Sequence, residues 1–184
     1  MKNPKLRILL SIVEGALMVA LAQVLGYLKI WRMPNGGSVT LVMLPIFVYC
    51  VRWGLGRGFL AAFALSVLQF LLDGGLALGW QSIIGDYLLA YTALGVAGLF
   101  SKAKGGFFWG SLAGGLGRFT VAWIVGATIW GEYMPERFFG MTMVSPWIYS
   151  LLYNGSYIGL SVVLCLVVGG ILYHPLKKYL RPVQ

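Results

Sequence analysis

The chain has 184 residues, of which 59% are hydrophobic and 10% charged, and its mean hydropathy is +0.84. Ordinary soluble domains carry about 25% charged residues, so this composition excludes one and fits a single lipid-embedded domain over residues 1–184. The net charge of +9 does not argue for nucleic acid, because the basic residues fall in small groups between apolar runs, as membrane flanks do.

Taken in chain order, the apolar runs predict an all-α membrane protein with six transmembrane helices, over 8–30, 39–55, 57–74, 82–101, 106–130 and 145–173. Met1 to Arg7 is basic, but the apolar stretch behind it is long and lacks a convincing cleavage site, so no cleavable signal peptide is expected. The third helix is short: about sixteen residues between Arg57 and Asp73 give ~24 Å of helix, against a hydrocarbon core of ~30 Å. The sixth is long enough to tilt or to run past the bilayer. Between the first two helices, Trp31-Arg-Met-Pro-Asn-Gly-Gly-Ser38 has the proline and glycine content of a structured loop able to cover a site.

Lysine and arginine placement sets the expected orientation. With the N-terminus cytoplasmic, the inner side holds Lys2, Lys5, Arg7, Arg52, Arg57, Lys102, Lys104, Lys177, Lys178 and Arg181. The outer side holds Lys29, Arg32 and Arg137, together with the acids Asp73, Glu132 and Glu136. Both termini are therefore expected in the cytoplasm, in a multi-pass protein of the cell membrane.

Catalysis finds little support. There is no Gly-rich phosphate loop, no His/Glu metal motif and no Ser/His or Cys/His pair suited to nucleophilic chemistry. Cys50 and Cys165 lie in apolar runs and read as small buried hydrophobes rather than a disulfide or metal site. His174, beside Pro175, is expected to cap the last helix or face solvent. No enzyme activity, metal or cofactor is expected.

The most informative residue is Asp86, inside the apolar run from Trp80 to Phe100. Of five acidic residues, only Asp86 and Glu14 sit within apolar segments. An ionisable group so placed faces a cavity or a partner. Starting helix 4 near Ser82 puts Asp86 ~6 Å, about one turn, below its outer end. Trp130 closes helix 5, and Tyr149 and Asn154 fall in the first turns of helix 6, so three helices bring polar and aromatic groups to similar depth. Tyr149, Tyr153, Asn154 and Tyr157 share a stripe on helix 6, and Arg118, Ala122, Gly126 and Trp130 share one on helix 5. One carboxylate among aromatics suits a flat, cationic or hydrogen-bonding heteroaromatic ligand, and Asn154 can donate and accept toward a ring nitrogen and an exocyclic amine. Other readings compete. Trp130, Trp147 and Tyr149 fit an interfacial aromatic belt, and Asn154 fits an interhelical hydrogen bond. Arg118, the only basic residue in mid-span, fits a structural counter-ion for Asp86. A proton-coupled secondary transporter and a non-transport scaffold stay open on these residues alone.

Several segments together carry a family resemblance. They are Glu14-Gly-Ala-Leu-Met-Val-Ala20, Met33-Pro-Asn-Gly-Gly-Ser-Val39, Leu44-Pro-Ile-Phe47, Arg52-Trp-Gly-Leu-Gly56, Asp86-Tyr87, Leu94-Gly-Val-Ala-Gly-Leu-Phe100, Gly126 with Trp130, and Trp147-Ile-Tyr-Ser-Leu-Leu-Tyr-Asn-Gly155. Over nearly its whole length the chain resembles the thiamine-specific S component of energy-coupling factor (ECF) vitamin importers. The resemblance implies a six-helix S-component fold that captures vitamin from outside. It implies that Asp86 serves the cationic ligand with Tyr87 beside it, and that Trp130 and Tyr149 pack on the ligand rings. Asn154 matches a polar ligand contact, Arg118 a basic position on helix 5, and Gly126 the site glycine. Ala16 and Ala20 match the small-residue face that docks on the transmembrane T component, which two cytoplasmic ATPase subunits complete. Three positions depart from the family: Ala122 stands where a histidine is usual, Asp86 where a longer Glu also occurs, and Gly36 where some relatives have an aromatic. An S component for another vitamin is the nearest alternative, and the direction of Trp123, beside Ala122, cannot be read from the sequence.

Overall fold

A computed structural model describes residues 4–72 and 79–176. Lys2, Asp73, Lys177, Lys178 and Arg181 lie outside the described residues, as does the side chain of His174. Among the described residues the chain forms six helices: α1 (Pro4–Tyr27), α2 (Met43–Trp53), α3 (Leu55–Leu72), α4 (Trp80–Phe100), α5 (Gly106–Thr128) and α6 (Pro146–Leu176). Each lies within a few residues of its prediction.

The helices are not six equivalent spans. Four are long and apolar enough to cross a membrane: α1, α3, α4 and α6 as far as Tyr173. The shortest helix is α2, not α3. Its 11 residues rise only ~16 Å, and Met43 to Val51 are all buried, with Met43, Ile46, Phe47 and Cys50 wholly so. A helix apolar on every side belongs in the interior, and α2 forms the centre of the core, against Ala22 of α1, Ala62 and Leu65 of α3, Leu94 of α4 and Ile158 of α6. Gly54, at φ +82°, ends α2, its N–H donating to the Cys50 carbonyl at 2.8 Å, and a tight reversal into α3 follows.

Small residues set the spacing of the other helices. A Cβ at Gly110 would sit 2.8 Å from the Ala97 carbonyl oxygen, and one at Gly114 would sit 2.9 Å from that of Leu94. These two glycines, in the turns of α5 before the Arg118–Trp130 stripe, let the α5 and α4 backbones meet. Near the opposite end of the bundle, Glu14 of α1 is answered by Arg52, whose Nε lies 2.5 Å from Oε1.

Two short hairpins cap the end where α1 finishes and α6 begins. β1 (Trp31–Arg32) pairs antiparallel with β2 (Ser38–Val39), and β3 (Arg137–Phe138) with β4 (Met141–Thr142). The second turns through Phe139 and Gly140, both at positive φ, as two-residue hairpin turns require.

Candidate ligand-binding cavity

Beneath these hairpins lies a cavity of about 270 Å³. Asp86, Tyr87, Arg118, Gly126, Trp130, Tyr149 and Asn154, the binding residues expected from sequence, all line it. Ala16 and Ala20 do not: both are exposed on α1, beside exposed Leu17 and Leu21.

Asp86 is presented by an irregular stretch of helix. From Ile83 to Leu89 the backbone is π-helical, between short α-helical pieces at Trp80–Ser82 and Ala90–Thr92, and α4 finishes as 3-10 helix over Ala93–Phe100. Widened turns of this kind recur at functional sites, and hydrophobic periodicity gives no hint of one here. Gly85 lies so close to Val125 that a Cβ there would sit 2.5 Å from a valine methyl, which holds the π-helical stretch tight against α5.

The Asp86 carboxylate is engaged on one side only. Oδ2 accepts from the Trp130 indole Nε1 at 2.7 Å and from Ser82 Oγ at 2.9 Å. Among the described residues Oδ1 accepts nothing and Asp86 has no ion pair. The structural Asp86–Arg118 pair is therefore not formed. Arg118, 8% exposed, lays its guanidinium over the Tyr91 ring, 4.0 Å from the centroid, and makes no ion pair among the described residues. Trp130 is a cavity residue bonded to Asp86, not merely a member of an interfacial belt.

Asn154 is committed to the protein more than its sequence context indicates. Its Nδ2 donates to the Ala122 carbonyl at 3.2 Å, the Ser150 carbonyl at 3.1 Å and Ser150 Oγ at 3.0 Å, while Oδ1 accepts from the Tyr157 hydroxyl at 3.0 Å. What remains for a ligand is one acceptor position on Oδ1. Gly126 makes this junction possible, since a Cβ there would meet Ser150 Oγ and lie 2.9 Å from Asn154 Nδ2. Ala122, 4% exposed, lines the cavity with only a methyl group where the family has a larger side chain. Trp123 does not stand in for it: its ring stacks on Phe119, lies edge-on to Trp147, and donates Nε1 to the Trp147 carbonyl at 3.0 Å.

Gln69, Tyr91, Tyr133 and Ser150 also line the cavity and were not picked out from sequence. Gln69 carried a signal, a lone amide in the apolar run of α3, and Tyr91 lies four residues beyond Tyr87 on the same helix. Tyr133, from the connection after α5, carried none.

The cover is fastened to α6. Gly37 donates its N–H to the Tyr153 hydroxyl at 2.9 Å, and that hydroxyl donates in turn to the Pro34 carbonyl. A Cβ at Gly37 would lie 2.8 Å from the Tyr157 ring, so only glycine lets the loop sit this low. Thr40 N–H reaches Ser161 Oγ at 3.2 Å. From the second hairpin, Phe138 meets the Tyr149 and Tyr153 rings at 5.3 and 6.0 Å.

Comparison with known proteins places the chain in a family. The family model described as Thiamine transporter protein (Thia_YuaJ) matches residues 12–181. The chain belongs to the thiamine transporter protein family. It is 29% identical to "Thiamine transporter ThiT" of Bacillus subtilis over 188 residues, covering 94% of this chain and 95% of that one. It is 30% identical to the protein of the same name from Lacticaseibacillus paracasei over 180 residues, covering 89% and 87%. A solved structure of ThiT from Listeria monocytogenes superposes with a TM-score of 0.84 at 23% identity, over 96% of this chain and all of that one, which establishes the fold expected from the resemblance. As a member of the thiamine transporter protein family the chain is a multi-pass protein of the cell membrane that serves transport rather than catalysis.

The Tyr153 clasp makes a direct prediction. Tyr153→Phe removes both hydroxyl bonds and keeps the ring, so the Gly37 amide should exchange its hydrogen roughly tenfold faster, the effect of about one net hydrogen bond. Unchanged exchange at Gly37 would mean that the clasp does not hold the loop.

Proposed function

We propose that the chain is the substrate-binding S component of an ATP-driven ECF importer, and that its cavity binds thiamine or a close relative. One observation carries the reading: Asp86 faces an aromatic-lined cavity with Oδ2 tied to Trp130 and Ser82 and Oδ1 left open. Thiamine joins a positively charged thiazolium ring to an aminopyrimidine. Oδ1 supplies a charge partner for the cation, and the faces of Trp130 and Tyr149 supply cation–π contact. The Arg118 fork supplies donors for acceptor atoms on the same ligand, and Asn154 Oδ1 keeps an acceptor position for an exocyclic amine. Membership of the thiamine transporter protein family supports this vitamin over another.

The rest of the reading concerns placement and partners. Residues 1–184 act as one binding domain with both termini in the cytoplasm, so that the cavity opens outward. Lys and Arg placement supports this, with Arg7, Arg52, Arg57, Lys102 and Lys104 all away from the cavity. Ala16 and Ala20, small and exposed on α1, support docking of that helix on the T component. Two ATPase subunits supply the energy, in keeping with a chain that has no nucleotide motif.

Two substitutions test these roles. Asp86→Asn should weaken thiamine by roughly tenfold to a hundredfold, the scale of a lost charged hydrogen bond, and should weaken the neutral pyrimidine precursor much less. Calorimetric titration of both ligands checks this, and equal weakening would indicate a structural role for Asp86. Ala16→Trp should leave thiamine affinity within about twofold yet abolish uptake by the assembled importer. Loss of binding along with uptake would remove α1 as the docking face.

A further inference from the structure

One wall of the cavity is built from a chain of contacts that crosses four helices. Gln69 of α3 donates Nε2 to Gln23 Oε1 of α1 at 2.8 Å. The Tyr91 hydroxyl of α4 donates to Gln69 Oε1 at 3.2 Å. The Tyr91 ring then carries the Arg118 guanidinium of α5 at 4.0 Å. Gln23 and Gln69 are both buried, at 7% and 5% exposure. Gln69, Tyr91 and Arg118 line the cavity, whereas Gln23 does not.

In the structure this chain runs in one direction, from Tyr91 through Gln69 to Gln23. A carboxamide has one donor end and one acceptor end. Because Gln23 accepts at Oε1, Gln69 must turn its Nε2 toward α1, and its Oε1 is left for Tyr91. Tyr91 is thereby held at its hydroxyl, while its ring carries the guanidinium. That ring is the support on which Arg118 rests, with no ion pair among the described residues to steer it otherwise. A guanidinium is a flat fork, and its useful donors point where its plane points.

We propose that Gln69 is a positioning residue for ligand recognition: through Tyr91 it sets the direction in which Arg118 presents its N–H fork, and Gln23 sets Gln69. The inference rests on the reading that the cavity is the thiamine site. It gives a residue on α1, outside the cavity, a measurable part in ligand affinity. A purely structural network would stabilise the bundle without this link to Arg118.

A double-mutant cycle on the purified full-length protein, read by calorimetric titration with thiamine, tests the proposal. Gln69→Leu, Gln23→Leu and Tyr91→Phe, which keeps the ring and removes only the hydroxyl bond, should each weaken thiamine by roughly twofold to thirtyfold, the range of a cation–π contact. Arg118→Lys keeps the charge and loses the fork. In the Arg118→Lys background, Gln69→Leu and Tyr91→Phe should cost less than about twofold more, since residues acting through one another are not additive. Unchanged affinity in the three single variants would overturn the proposal, as would effects that multiply fully with Arg118→Lys. If Gln69→Leu does not fold, Tyr91→Phe and Gln23→Leu complete the same cycle. Wild-type protein that fails to bind thiamine overturns the functional reading and this proposal together. Wild-type binding with multiplying effects overturns this proposal alone.

Discussion

A carboxylate inside an apolar bundle has to be answered, by a counter-charge, by donors or by a cavity that admits a polar partner. This protein contains two such acids and answers them differently. Glu14 is closed off by Arg52, an ion pair that ties α1 to the end of α2. Asp86 has a guanidinium in the same cavity and does not pair with it. Arg118 lies instead on Tyr91, and among the described residues Asp86 takes two donors on one oxygen only. Keeping these two charges apart in one cavity is costly for the folded protein, and a ligand with a cation at one end and acceptors at the other would relieve it.

Much of the remaining architecture serves to hold that arrangement. The buried α2 fills the middle of the bundle so that the longer helices can surround a space beside it. Gly110 and Gly114 bring α5 against α4, and the far end of α5 delivers Trp130 to Asp86. The π-helical stretch places Asp86 and Tyr87 on the cavity wall, and the Asn154 junction joins α5 to α6 behind it. Above them, the α1–α2 loop is held down by the Tyr153 hydroxyl, and Phe138 adds a second cover. Loops that close over ligands are drawn from the less stable parts of a fold, and a cover fastened by a few hydrogen bonds fits that need.

How far the sequence could be read depended on the kind of signal. Helix existence is carried by long apolar runs, a strong cue, and the six expected match the six among the described residues. The role of α2 did not, because a hydropathy pattern cannot distinguish a short buried helix from a short span. Asp86, Trp130 and the tyrosine stripe were legible because charge and aromatics in an apolar run are conspicuous. Gln69 and Tyr91 escaped because an amide and a tyrosine are less costly in such a place, though Gln69 was visible by the same logic. The π-helical turn, the full engagement of Asn154 and the direction of Trp123 depend on neighbours brought together by folding. The spacing of residues along one helix carries no trace of them.

The most direct test of this account is a structure of the protein with thiamine bound. The account predicts the thiazolium ring within about 4 Å of Asp86 Oδ1, the reach of effective charge pairing, against the Trp130 ring and with Arg118 directed at the ligand. Thiamine bound elsewhere, or bound in the cavity with Asp86 turned away from its cation, would contradict it.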